Sequence, residues 1–409
     1  MDNITHSLIG IAAAEALFQR SPSAKRPSVA PVLRTAYWLV SLVGNNLPDL
    51  DMLYAGFQLN GRLGYLLHHR GHTHTLFFAL VQGLILGWAA RWFLQRKMKK
   101  IPAWDTRALW ILAFAAPCLH LWMDGFNNYG VHPFWPAWNG WLYGDSLFII
   151  EPLLWMALIP VLYFATKRRL FRGMMEAGVA ALWAAAWILP LVRWYSAILI
   201  PLVGVVLWWA TRDAKPRVRA DICVGTALGI MLLFTASSAI ALSRVRVQNQ
   251  ALYPQAKLQD VILTPFPANP LCWSVITVEE FPEARYRMRR GRYSPFIDAA
   301  ACPRVPSSGT TAFLTPVEDG WGPHFLWEGQ YQSAISDLKD YVPLSCSWSG
   351  FLRFARAPFL QEEEGKLWAG DLRFDYGPDL GFAELEVPES DAPCPGWIPP
   401  WIPPRNPLF

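Results

Sequence analysis

Seven of the eight histidines fall in the first 132 residues: His6, His68, His69, His72, His74, His120 and His132. The carboxylates Asp2, Asp49, Asp51 and Asp124 share that stretch, and Asp145 and Glu151 follow it. Mixed imidazole and carboxylate ligands suit a divalent metal, zinc first, with manganese or iron as alternatives. No cysteine belongs to the set, which argues against a structural thiolate site. His120 and Asp124 are spaced i, i+4, so one helical face carries both. Pro48 ends the preceding helix and leaves Asp49 and Asp51 on a turn. The run His68-His69-Arg70-Gly71-His72-Thr73-His74 leads into the next apolar segment. A lone His or Asp at a helix end is usually a cap, and His120/Asp124 could also be a buried hydrogen-bonded pair. Clustering weighs against those readings, because ionisable groups within a membrane are expensive and usually functional.

The expected ligands are His6, Asp49, His69, His74, His120 and Asp124, with His68, His72 and His132 as bystanders. Asp145 and Glu151 stay undecided; Glu151 precedes Pro152 at a helix start, where a carboxylate also suits the helix dipole. More than four candidates suggests an open catalytic site or two ions. Such a site turns water into a nucleophile near neutral pH. Asp49 or Asp51 would take the proton, and the planar fork of Arg70 would hold an anionic oxygen.

The elements that must position these residues are membrane helices. The 409 residues are 53% hydrophobic and 16% charged, against about 25% charged in soluble domains. The 22 Trp, 23 Phe and 13 Tyr exclude a disordered chain. Apolar runs near the bilayer-crossing length of about 20 residues are Thr75–Leu94, Leu147–Ala165, Met174–Leu191, Ala197–Ala210 and Ile222–Leu242. Ala108–Trp122, Val32–Leu47 and Ser7–Phe18 complete eight segments. Alternate connections carry eighteen Lys and Arg, and the intervening ones only Arg62, Arg70 and Arg193. The positive-inside rule then makes the first set cytoplasmic and both termini external. All the clustered histidines and acids land on the outer side. The N-terminus has no cationic stretch before its apolar run and does not read as a cleavable signal.

Charge divides the chain as well. Residues 1–246 hold 23 Lys+Arg against 11 Asp+Glu, and residues 247–409 hold 13 against 20. The expected architecture is therefore an all-α polytopic membrane bundle of about eight spans (1–246), followed by a β-rich extramembrane domain (247–409). Ser274–Val278, Thr311–Leu314 and Phe351–Phe354 read as its strands. Its Cys272, Cys302, Cys346 and Cys394 would form two disulfides outside the cell or stay as buried thiols. The Pro-rich tail from Pro393 reads as extended. The basic loops lack aromatic interleaving or a recognition motif, so nucleic acid is not an expected partner. There is no internal repeat, glycine-rich phosphate loop or Gly-x-Ser-x-Gly elbow.

Four ordered motifs carry a resemblance: Met1-Asp-Asn-Ile-Thr-His6-Ser-Leu-Ile-Gly10, Leu47-Pro-Asp49-Leu-Asp51, His69-Arg-Gly-His-Thr-His74, and His120-x-x-x-Asp124 followed by Asn128-Tyr-Gly130. Over roughly residues 1–165 the chain resembles the YdjM-like family of bacterial inner-membrane proteins, described as metal-dependent hydrolases. More distantly, the order is similar to the zinc-dependent phospholipase C and single-strand nuclease superfamily. That likeness implies His6, Asp49 or Asp51, His69 or His74, His120 and Asp124 as ligands. The superfamily's later His and His-x-x-x-Glu ligands have no clear match, so one or two zinc ions are expected rather than three. The leading expectation is a multi-pass inner-membrane hydrolase with its site at the periplasmic face, acting on a phosphoester or lipid-linked substrate, with membrane lipid as partner. The alternatives are a non-catalytic metal-binding membrane protein whose outer domain binds a partner, and a transporter.

Overall fold

A computed structural model describes all residues except 56–60, 305–313, 318–321, 376–380, 389, 392, 395, 406, 407 and 409. Each of the eight apolar segments is helical. They are α1 (Asn3–Phe18), α2 (Ala30–Gly44), α5 (Leu76–Lys97), α6 (Ala103–Asp124), α7 (Pro152–Ala165), α8 (Arg169–Ile188), α9 (Trp194–Thr211) and α10 (Pro216–Leu252). Two short helices, α3 (Met52–Ala55) and α4 (Arg62–His68), lie between α2 and α5. Among the described residues, α5, α6, α9 and α10 are long and apolar enough to cross a membrane, and α7 is apolar but shorter. Four such helices stand where the sequence suggested eight. The difference lies in α1, α2 and α7, which stop at 16, 15 and 14 residues, and in α8, which has 20 residues but carries Arg169, Arg172 and Glu176 in its first half.

Local chemistry sets the boundaries nearest the histidines. Asp2 caps α1 by accepting from the Ile4 and Thr5 amides, and Thr75 caps α5 by accepting from Phe78. Glu151 caps α7 through the Leu153 amide and also receives the Ala268 amide. Two buried polar knots tie the bundle at the opposite end. Glu15 accepts from Arg34 at 2.6 Å and from Trp38 Nε1 at 2.8 Å. Asp105 accepts from the Ser21 and Ser23 hydroxyls and from Tyr37.

Helix packing is close where side chains are small. A Cβ on Gly44 of α2 would lie 2.6 Å from Ala116 Cβ on α6. One on Gly87 of α5 would meet the Trp110 ring at 2.1 Å. These contacts press α2 and α5 onto α6, the helix that carries His120 and Asp124.

Beyond α10, strands β1 (Lys257–Phe266), β2 (Asn269–Phe281), β3 (Arg285–Tyr293) and β4 (Phe325–Ala334) form an antiparallel sheet in order β1-β2-β3-β4. The expected strand Ser274–Val278 lies in β2. Two short helices follow, α11 (Ile335–Lys339) and α12 (Cys346–Phe351). Strands β5 (Pro358–Glu363), β6 (Lys366–Asp371) and β7 (Glu384–Glu386) make a second, three-stranded sheet. Phe351–Phe354 is not a strand: it ends α12 and continues as a turn. Its aromatics are buried, and a short apolar run has no period to separate the two states. Residues 311–313 of the expected strand Thr311–Leu314 lie outside the described residues. Cysteine pairs link Cys272 to Cys302 and Cys346 to Cys394.

The sheet domain rests on the end of the bundle that holds the histidines. One buried apolar cluster joins Leu63, Leu66 and Leu67 of α4 with Tyr129 and Trp141 of the 125–151 connection and Phe354, Phe359 and Trp401. Arg356 bridges Asp145 and Asp260, each within 3.0 Å. Arg373 donates to the Asn128 carbonyl at 2.6 Å.

Candidate metal centre

Three chain segments meet at one point. The turn Pro48–Asp51 after α2 brings Asp49. The turn His72–His74 before α5 brings His74. The last turn of α6 brings His120 and Asp124, one helical turn beyond Pro117. One ligand atom from each of these four residues lies within 4.8 Å of the others, so the group could hold a metal ion. His74 Nε2 is 3.0 Å from His120 Nε2. Asp49 Oδ1 is 3.3 Å from the first and 3.5 Å from the second. Asp124 Oδ2 stands 3.4 Å from both.

The ring nitrogens facing away explain why those facing inward are bare. His120 Nδ1 is 2.7 Å from the Asn45 carbonyl, which can only accept, so the proton sits on Nδ1. His74 Nδ1 is 3.0 Å from Asp51 Oδ2 and donates to it. Two nitrogen lone pairs then face each other beside two carboxylate oxygens. Asp124 Oδ2 is buried and has no hydrogen-bond donor among the described residues. Four acceptors without a shared proton repel one another, and a cation removes the conflict. Four ligands about 2.0–2.2 Å from a tetrahedral centre stand roughly 3.3–3.6 Å apart; five of the ligand-atom pairs here span 3.0 to 3.5 Å. The donor set therefore fits a divalent metal.

A second group, Asp49, Asp51 and His69, also has ligand atoms within 4.8 Å of one another. Its hydrogen bonds tell a different story. Asp51 Oδ1 accepts from His69 Nδ1 at 3.0 Å. Oδ2 accepts from the Arg70 amide at 2.9 Å, from the Thr73 hydroxyl at 2.8 Å and from His74. Burial raises the Asp51 carboxyl, but its imidazole neighbours His74 and His69 outweigh it and hold it well below the usual range. Burial pushes the His69 imidazole down. Asp51 is thus an ionised anchor for the whole 69–74 turn.

His6 stands beside the four. Its Nε2 is 3.2 Å from Asp124 Oδ1, and its ring stacks on His120 at 3.8 Å. Arg70, held at φ 58°, turns its guanidinium inward. Nη2 is 3.0 Å from Asp124 Oδ1, Nη1 donates to Asn127 at 2.8 Å, and the ring of Tyr129 lies 4.9 Å away. The Met1 amino nitrogen also meets Asp124 Oδ1. The oxygen of Asp124 opposite the cluster is therefore saturated with donors, and its partner oxygen is left for the centre.

His68, His72 and His132 belong to neither group. His72 and His132 pack against Trp401 at 5.0 and 4.0 Å. Asp145 pairs with Arg356, and Glu151 is a cap. Sequence reading missed the supporting roles of Asn3, Thr73, Asn127 and the Asn45 carbonyl. Asn3 donates to Asp49 Oδ2 at 2.8 Å. Thr73, flanked by His72 and His74, and Asn127, three residues past Asp124, were visible as motif neighbours. A backbone carbonyl leaves no sequence mark.

Over 159 residues the chain is 26% identical to the uncharacterised protein YfhP of Bacillus subtilis (strain 168), covering 38% of this chain and 44% of that relative's length. No solved structure matches. The model of the family described as YdjM inner membrane protein matches residues 1–199, which hold every residue of the cluster. This is a membrane protein whose residues 1–199 match the YdjM inner membrane protein family.

Proposed function

We propose that this chain is a multi-pass membrane hydrolase with one zinc ion held by Asp49, His74, His120 and Asp124, acting on a phosphoester at the extracytoplasmic face. The observation that carries the proposal is the pair of bare imidazole nitrogens 3.0 Å apart between two carboxylates, one with an orphaned oxygen. Zinc, when bound, supplies Lewis acidity that acidifies water and polarises the bond under attack. The residues around it divide the remaining work. Asp51 fixes the tautomer and orientation of His74, and the Asn45 carbonyl does so for His120. Arg70 and His6 hold Asp124. Asp49 is the most accessible of the four ligands, at 8% exposure, so substrate approaches along its edge and Asp49 takes the proton.

The sidedness follows from charge. The site shares its end of the bundle with the sheet domain, while Arg20, Lys25, Arg34, Lys167 and Arg168 gather at the other end. The positive-inside rule puts that basic end in the cytoplasm, and two cysteine pairs in the sheet domain suit an oxidising exterior.

The test is metal analysis of purified protein with His120→Ala and Asp124→Ala, beside hydrolysis of bis(p-nitrophenyl) phosphate. About one zinc per wild-type chain, near zero in both variants, with hydrolysis lost on chelation, supports the reading. Unchanged metal in the variants refutes it. A second reading has its own support: four protein ligands close a tetrahedron, as in structural sites, and His74, His120 and Asp124 are buried. Stoichiometric zinc with no hydrolysis across phosphodiester and lipid panels would favour a non-catalytic metal protein whose sheet domain binds a partner.

A further inference from the structure

A cavity of about 870 Å³ runs between α1, α2, α7 and α8. Its walls are apolar: Ile4, Leu8 and Ile11 form one stripe of α1, facing Trp38 and Leu42 of α2 and Met175 of α8. Half-exposed Leu39, Phe171 and Met174 flank it, so the groove opens sideways onto whatever surrounds the bundle. In a membrane protein that surrounding is lipid.

The position of its mouth matters most. Ile4 adjoins Asn3, whose amide donates to Asp49 Oδ2 at 2.8 Å and to Asn46 Oδ1 at 3.3 Å. Asn46 lies one turn beyond Leu42 and donates to the Leu42 carbonyl and the Ser7 hydroxyl. A collar of Asn3, Asn46 and Ser7 thus separates the apolar groove from the accessible edge of the metal cluster. From Trp155 to Ala165 along α7 the groove is about 15 Å deep, the hydrocarbon depth of one leaflet of a bilayer core about 30 Å thick. Its far end is closed by polar groups: Arg34, paired with Glu15, and Thr166, Lys167 and Arg168.

We propose that this groove receives one acyl chain of the substrate, with the collar at the chain's linkage region and the phosphoester at Asp49. The site then acts on a membrane phospholipid or another acyl-anchored phosphoester of the leaflet that faces it, not on a soluble one. This inference rests on the hydrolase reading above. The sequence of environments, cation-binding acids, then neutral amides, then one leaflet's depth of hydrocarbon, is the order of groups in a glycerophospholipid.

Gly178 supplies the test. It lines the groove, and a Cβ built there meets nothing within 4 Å. Gly178→Trp therefore fills the groove without crowding the backbone. Gly173→Trp, on the same helix, also in open space and outside the groove, is the control. Full-length protein in phosphatidylethanolamine/phosphatidylglycerol liposomes is irradiated with phosphatidylglycerol bearing a diazirine at one chain end, and zinc is measured on the same samples. The indole takes the space the chain would fill, so adducts on Ile11, Thr35 and Met175 should fall to the level of bulk lipid in Gly178→Trp. They should be unchanged in Gly173→Trp, with zinc equal in all three. Turnover of the phospholipid should fall in parallel in Gly178→Trp and hold in Gly173→Trp.

Labelling that ignores Gly178→Trp, or that spreads evenly over the outer face of α5, marks bulk lipid only and overturns the inference while leaving the metal reading intact. Wild-type protein that labels in the groove but holds no zinc overturns the hydrolase reading, and the substrate role with it.

Discussion

Asp51→Asn is the sharpest probe of how the centre is built, because Asp51 touches the protein side of the ligands and not the proposed ion. Its carboxylate accepts four hydrogen bonds, from His69, the Arg70 amide, Thr73 and His74. An asparagine has one oxygen to accept with, and its NH2 group opposes whichever donors face it. If Oδ1 of the new amide stays with His74, the His69 bond is lost; if it flips, His74 loses the partner that keeps its proton on Nδ1. Loss of an outer partner to a ligating histidine typically costs 10- to 100-fold in metal affinity, about 1.4–2.7 kcal/mol. The assay is competition for zinc against a chelator of known affinity, on wild type, Asp51→Asn and His120→Ala. Asp51→Asn should still reach one zinc per chain when saturated, with affinity weakened within that range, while His120→Ala should not saturate. Wild-type affinity in Asp51→Asn would show that the anchor does not hold His74. Loss of all binding would make Asp51 a ligand, and the two-ion alternative would return.

Three further outcomes are expected. Gly44→Val forces the 2.6 Å approach to Ala116 apart, costs about 1–3 kcal/mol of overpacking, and moves the Asn45 carbonyl off His120; thermal unfolding and zinc content should both fall, and a variant normal in both refutes the link. The Asp260 carboxyl is raised by burial but brought down to about 2 by Arg356 and Arg405, so its contribution of about 2 kcal/mol is full above pH ~4 and lost as pH falls through 2. Burial raises Asp145 on the other side of Arg356, so Asp260→Asn should flatten the acid limb of a tryptophan-fluorescence unfolding profile, and an unchanged limb refutes the assignment. Trp401→Ala removes a buried ring that stacks on His132 and donates to the Leu67 carbonyl at 2.8 Å; about 3–5 kcal/mol of stability should go with it, and zinc affinity should weaken without vanishing.

The convergence of these histidines and acids was legible only in part. His120 and Asp124 were readable because helical spacing fixes their shared face, and Asp49 because a proline dictates the turn that carries it. His74 could not be separated from His69 by spacing alone: four histidines in seven residues point every way until the Arg70 turn at positive φ decides which ring faces inward. The division of labour between Asp49 and Asp51 was equally closed to sequence, because it depends on which carboxylate the Arg70 amide and Thr73 hydroxyl reach. Among the helices, apolar length marked each segment, yet α1 and α2 end early because their last turns give way to polar connections that serve Asp105 and the metal cluster. Phe351–Phe354 failed for the opposite reason, since its burial comes from the far side of the chain.

That far side gives the sheet domain a physical connection to the chemistry. The main chain at Arg70 sits between the two halves of the protein. In front of it, the guanidinium pins Asp124 and the amide pins Asp51. Behind it, its carbonyl is 3.3 Å from His132 Nδ1. Burial drives the His132 imidazole down to about 3, so it is neutral and donates that proton. The His132 ring is stacked on Trp401 of the C-terminal tail, and Tyr129, under the guanidinium, packs on Phe354 at 5.0 Å. A residue in the left-handed region costs of order 1 kcal/mol or more and persists only where its surroundings over-determine it. Here part of those surroundings comes from residues more than two hundred positions later. The family-matched segment supplies the clustered histidines and acids, and the domain beyond it packs against the turn that carries His74.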